Sequence, residues 1–383
     1  MRIFIEPTEP LLFRNGRSFD AGESNFAESI FPPTPETIQG AIRAMIAAHT
    51  TLVDKTMSIA TRFSTDALTQ LIGNQNSYGR FRITGLALGK RTKEDGTIKR
   101  LFPAPAHLMK VRFQGADTPK IIQLKREKRD DVISNIPAEM QYLMLPDLGG
   151  EKLDGKPKPP GWITEDNLQI ALNSQTDVPE LEAESDIYTL ESRLGIGMQN
   201  DTKTTRTGYL YQMQVIRMQV GYGFVVDVRL SEEGHSEKLI SDALTQETLG
   251  LPERGWLILG GEQRAAYFTV LGLTSQEGNI EARRPGKIVY LATPAYFTHG
   301  WQPPMERFTS AGKLIAAAIN NPVLIGGWQL NPGDAGGSSK ITRRCVPAGS
   351  VYFFDKPVTV TQPLTEYGWQ IGYGIAYTGD YES

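Results

Sequence analysis

An α+β fold built on antiparallel sheets is what the amino-acid sequence predicts. Three observations carry that expectation. Strand-like apolar runs dominate the chain from Asp186 onward, glycine punctuates nearly all of them, and strands and helices do not alternate as a doubly wound parallel sheet requires.

Taken in order, Arg2 to Glu6 alternates as a strand, and Pro7 and Pro10 turn the path before Leu11 to Phe13. A helix follows. Thr34 is a good N-cap, Pro35 suits the first helical position, Glu36 favours the positive end of the dipole, and Ile38, Ala41, Ile42, Met45 and Ile46 form one apolar face. Phe81 to Leu88 reads as a strand, and the charged stretch Lys90 to Arg100, with Asp95-Gly96, leads to apolar residues around Leu101, the pattern of a hairpin with a basic tip. Gln114 to about Ser185 has charge runs, Gly149-Gly150 and weak periodicity, and is expected to be an insertion with a mobile part. Tyr209 to Val220, Gly223 to Arg229, Trp256 to Gly260, Lys287 to Thr293 and Val351 to Phe354 then read as strands. The expected organisation is an N-terminal domain over 1–185, carrying the insertion, and a C-terminal domain over 186–383.

A chain of 383 residues with 40 % hydrophobic content can bury a substantial core. No run approaches the roughly 20 apolar residues that cross a bilayer, and the start lacks a signal-peptide pattern, so the cytoplasm is the expected location and no membrane is expected as a partner. The single cysteine, Cys345, excludes an intrachain disulfide and a cysteine metal cluster, and its strand-like setting suits a small buried residue better than a nucleophile. A net charge of −3 argues against capture of nucleic acid by long-range attraction alone. Basic surface must be local. It gathers at Lys90 to Arg100, at Lys125, Arg126, Lys128 and Arg129, and at Lys340, Arg343 and Arg344, the first two of which read equally as ordinary solvated faces.

Enzyme signatures are lacking. No GxxxxGK[ST] occurs, no GxGxxG follows a strand, and the four histidines, His49, His107, His235 and His299, have no HD, HxH or HExxH spacing, so neither a cofactor nor a metal is expected. His49 ends the first helix, where a cation suits the exposed carbonyls. Gly195-Ile196-Gly197 and Gly372-Tyr373-Gly374 read as tight turns or bulges, or as backbone that can approach a phosphodiester closely. The stretch Glu191 to Gly208, with Arg193, Thr204 and Arg206, reads as a polar hairpin loop or as a set of donors for phosphate and sugar oxygens. Gly260 to Phe268 places a donor-rich turn, including Gln263 and Arg264, between two strands, and Tyr267 and Phe268 suit either a core or base stacking.

Several ordered segments carry a resemblance. Phe13-Arg14-Asn15-Gly16-Arg17-Ser18-Phe19 and Phe31-Pro32-Pro33-Thr34-Pro35 leading into Gly40-Ala41-Ile42-Arg43 come first, then Leu101 to Ala106, Arg193 to Gly208, Gly255-Trp256 through Gly260 to Arg264, Gly326-Gly327-Trp328, Arg344 to Phe353 and Gly372 to Ala376. Together they resemble the RAMP-superfamily subunit of type III-B (Cmr) CRISPR effector complexes that binds the 5′ handle of the guide RNA. His107 and Gln329 stand where that family usually has Asp.

The resemblance implies two ferredoxin-like, RRM-like domains, a glycine-rich loop near the C-terminus, a hairpin or thumb between handle and spacer, and no catalytic centre. The implied partners are the crRNA through its 5′ handle, the large polymerase-like signalling subunit, the backbone RAMP subunits and, indirectly, target RNA. The expected RNA contacts are Arg14, Asn15, Arg17, Arg193, Gly195, Gly197, Thr204, Arg206, Gln263, Arg264, Gly372 and Gly374, with Lys340 and Arg343 nearby. A rival reading is a metal-independent endoribonuclease of the same superfamily: related proteins that cut repeat RNA place a histidine near their first helix, which makes His49 its candidate base. A third is a purely architectural subunit whose basic runs face protein.

Overall fold

The computed structural model describes residues 1–14, 26–74, 77–128, 137, 140, 142–173, 180–199, 201–231, 249–271, 284–309, 312–329, 338–361 and 363–380. The fold is α+β with few helices and predominantly antiparallel sheets, as expected. Two compact units are each assembled from separated stretches, one from 1–84, 185–273 and 324–344, the other from 85–184, 274–323 and 345–383.

In the first unit, Arg2–Pro7 lies between Tyr222–Leu230 and Ala265–Leu271, and Arg254–Ile258 forms an edge beyond the latter. Ile3, Phe4, Ile5 and Val225 are wholly enclosed, so this strand set is core from its first residues. The helix Pro35–His49 begins as its sequence predicts: the Thr34 hydroxyl accepts from Thr37 N–H, Pro35 opens the first turn, and Ile38, Ala41, Ile42, Met45 and Ile46 are buried. Arg62 closes its far end by donating to the carbonyls of Ala47 and Ala48 at 3.1 and 2.9 Å. A second sheet of this unit is a long hairpin, Tyr188–Met198 with Thr205–Met218, and Phe26–Ala27 runs parallel to Gln212–Met213.

In the second unit, Leu314–Ala318, Val351–Val358, Gly286–Leu291 and Ala376–Gly379 form one sheet in that spatial order. Its core includes Ile288, Tyr290, Phe353 and Tyr377, packed with Leu168 and Leu172 of the helix Glu165–Asn173. The stretch expected to be a loosely structured insertion holds more regular structure than its sequence suggests: Lys120–Lys128 pairs with Leu108–Val111 and Tyr142–Pro146, and Trp162–Thr164 leads directly into that helix. Its last four residues, Lys125-Arg126-Glu127-Lys128, are all charged and break any alternation, so the strand reads as a solvated run until its partners are known.

Candidate RNA-binding surface

One short strip organises most of the candidate site in the first unit. Leu11 exchanges both backbone hydrogen bonds with Ile216 of the long hairpin, each at 2.8 Å. The neighbouring Leu12 carbonyl accepts from Gly261 N–H at 2.8 Å, which fastens the turn between Arg254–Ile258 and Ala265–Leu271 to the same strip. Ser29 completes the joint: its hydroxyl accepts from Phe13 N–H and donates to Gln214 O at 2.6 Å. Arg14, which bridges Ser29 through its backbone, therefore emerges exposed where hairpin and turn are both anchored.

The hairpin differs from the loop its sequence suggests. Arg193, Gly195 and Gly197 lie within the strand Tyr188–Met198, and the tip is confined to 199–204. Leu194, Ile196 and Met198 repeat at period 2, a strand signal that the interleaved glycines obscure. Gly195 sits opposite Tyr211, and a Cβ at Gly195 would collide with the Tyr211 ring, so that aromatic covers the glycine across the strands. Glu191 holds two guanidiniums at once: Arg193 Nη2 at 3.2 Å, and Arg217, whose Nε and Nη2 both donate to it. This pairing keeps the Glu191 carboxyl below the usual glutamate range, with Arg217 the main cause. At the tip, Lys203 adopts a left-handed φ of 56°, and the Thr204 hydroxyl is 2.8 Å from that of Thr202. Arg206 is in the returning strand.

The Gly260–Arg264 turn is tightly specified. Gly260 has φ 78°, and a Cβ there would lie 2.8 Å from Leu12 O and 3.0 Å from the Phe13 ring. Glu262 and Gln263 follow with φ of 58° and 54°. Two consecutive non-glycine residues in the left-handed region cost on the order of 1 kcal/mol or more each, and the surrounding bonds must hold them. Gln263 is exposed, and Arg264 donates to the Glu262 carboxylate.

The remaining candidates lie elsewhere. Lys340 and Arg343 belong to the first unit, where Lys340 N–H donates to Gly327 O at 2.8 Å and Arg343 starts a short strand. Gly372 and Gly374 belong to the second unit, with φ of 100° and 66°. The Gly374 amide donates to Pro294 O at 2.9 Å and its carbonyl accepts from Leu364 N–H at 2.7 Å, so the backbone groups of this turn are engaged inside the fold. Asn15 and Arg17 lie outside the described residues.

His49, the candidate base, has a structural position. Its Nε2 is 2.8 Å from Trp256 O, and its ring meets the Phe268 ring edge-on at 5.3 Å, which ties the helix end to the edge strand. His107 is sealed at 0 % exposure beside Phe353, and burial lowers its pKa to about 4, against a smaller opposing effect of the Ala171 backbone. Among the described residues no three His, Cys, Asp or Glu side chains gather as a metal site, and no helix is long and apolar enough to cross a membrane. Sequence reasoning gives Arg217 no role, and reaches Glu191 only as the start of a donor-rich stretch and Trp256 only as the start of a strand. Period-2 placement puts Glu191 and Arg217 on the same hairpin face as Arg193, a signal visible once that segment is read as strand.

Comparison with curated proteins gives no match. Two solved chains are similar in outline. One, from "Cryo-EM structure of the Type III-B Cmr-beta bound to cognate target RNA", is 14 % identical with a TM-score of 0.48, and the match covers 92 % of this chain and 86 % of that one. The other, from the same complex "bound to cognate target RNA and AMPPnP, state 1", is 17 % identical with a TM-score of 0.45 at the same coverage. The profile of the family described as CRISPR-associated protein (Cas_Cmr3) matches residues 3–381. With that match spanning nearly the whole sequence, the chain belongs to the CRISPR-associated Cas_Cmr3 family.

Proposed function

We propose that this chain is a non-catalytic crRNA-binding subunit of a type III-B CRISPR effector complex, which caps the 5′ handle of the guide and links it to the large signalling subunit. Family membership over residues 3–381 is the observation that carries the reading. What supports it in the fold is the strip Leu11–Arg14, to which the hairpin bearing Arg193 and the turn bearing Gln263 and Arg264 are both hydrogen-bonded. Such a surface suits an unpaired RNA end: guanidinium and amide donors meet phosphates and base edges, and few net charges are needed. Two RRM-like domains, a cytoplasmic location, and contacts with the backbone RAMP subunits and, through the guide, target RNA complete the proposal.

Filter binding tests it. Wild-type protein should retain handle-containing RNA better than a scrambled RNA of equal length, and Arg193→Ala and Arg264→Ala should each weaken that binding by about 1–3 kcal/mol. Equal retention of both RNAs, or unchanged affinity in both variants, removes the assignment.

A further inference from the structure

The first unit carries an aromatic platform outside the residues assigned above. Strands expose alternate side chains on opposite faces, and the register here sorts them. Gly255 pairs with Phe268 on the face that meets His49 at the end of the first helix: a Cβ on Gly255 would lie 2.9 Å from the Phe268 ring and 3.4 Å from His49 Cε1. Trp256 pairs with Tyr267 on the opposite face, with Arg254 across from Thr269 and Glu6 beside Tyr267. Trp256 is 57 % exposed there, although indoles are usually largely covered.

The indole is held in place rather than loose. Tyr267 meets it edge-on, ring centroids 5.2 Å apart, and the Trp256 carbonyl is fixed by His49 Nε2. An aromatic residue in ring contact with Tyr267 and still 57 % exposed has area to offer a flat partner. Arg254, two residues earlier on the same face, lies roughly 7 Å along the strand, within reach of a phosphate attached to a base stacked on Trp256. The Gly260–Arg264 turn continues from the same strand, so an RNA held at Gln263 and Arg264 has a path onto this face.

We infer that Trp256, braced by Tyr267, is a base-stacking residue that receives an unpaired nucleotide of the guide RNA, with Arg254 facing its phosphate. A protein surface is the less fitting occupant, because covering the face would bury the exposed Arg254 away from water unless the partner placed a carboxylate against it, whereas every nucleotide carries its own phosphate. The inference rests on the RNA-binding reading above and adds a site to it.

The test is an abasic scan on the full chain. Handle-containing RNAs, each lacking one base, are titrated against wild type, Trp256→Ala and Trp256→Phe. Stacking predicts that Trp256→Ala weakens intact RNA by roughly 10-fold while Trp256→Phe stays within about threefold. It further predicts one position whose abasic form weakens wild type and leaves Trp256→Ala unaffected, the sign of a shared interaction. If wild type binds handle RNA and Trp256→Ala binds it equally well, the inference falls and the broader proposal stands. If wild type shows no preference for handle RNA, the broader proposal falls first. Unchanged RNA affinity together with loss of Trp256→Ala from the assembled complex assigns the platform to a protein partner and overturns the inference.

Discussion

The Gly261 N–H donates to the Leu12 carbonyl at 2.8 Å, and the residue beside Leu12 is paired with the long hairpin through Ile216. Gly260 is pressed against this same joint. Gly260→Ala should destabilise the protein by about 1–3 kcal/mol, because a Cβ meets both left-handed strain and the Leu12 carbonyl. Gly96→Ala is the control: φ is 73° there, but nothing lies within 4 Å of the added Cβ. Urea unfolding should separate the two variants, and handle-RNA affinity should fall for Gly260→Ala alone.

His49→Ala should cost about 1–2 kcal/mol of stability through loss of the hydrogen bond to Trp256 O and of the contact with Phe268. Labelled repeat RNA incubated with wild type in EDTA should remain intact. A discrete cut that His49→Ala abolishes would restore the endoribonuclease reading.

His107 makes stability depend on pH in a defined direction. Its folded pKa of about 4 is below the ordinary 6.5, so between these values the unfolded chain binds more protons than the folded one. Its contribution is intact above about pH 6.5 and is lost as pH falls toward 4, by up to ~1.4 kcal/mol per pH unit. Thermal melts of wild type and His107→Leu across that range should show a shallower slope for the variant. Parallel slopes would mean that His107 is not the proton acceptor.

Tyr211→Ala should loosen the long hairpin, since the ring that covers Gly195 is lost. Cross-strand aromatic contacts of this kind contribute about 0.2–1 kcal/mol. Limited proteolysis at the 199–204 tip should accelerate, with little change in the global unfolding midpoint.

The local elements were legible where the signal lies within a few residues. Thr34-Pro35-Glu36 and the spacing of Ile38, Ile42, Met45 and Ile46 define the first helix, and Asp95-Gly96 marks the hairpin tip, where Gly96 adopts φ 73°. Long-range pairing was not legible. Nothing near Arg2 indicates that it lies beside Asp227 and Leu271, because strand partners are chosen by faces that only the folded sheet creates. The candidate site divides the same way. Donor-rich stretches around Arg193 and Arg264 stand out by composition, whereas Glu191 and Arg217 matter through cross-strand placement, and the Gly374 amide is seen to be engaged only once Pro294 is beside it.

Because hairpin and turn are both riveted to Leu11 and Leu12, the two ends of the hairpin differ in their tolerance of length change. Extra residues inserted at 199–204 extend a tip and leave every anchor where it was. One residue inserted between Leu11 and Phe13 would shift the register of a strip whose Leu11, Leu12 and Phe13 are all buried, displacing one of these apolar side chains and detaching the hairpin or the turn. Length variation among descendants of this chain should therefore collect at the tip and spare the strip.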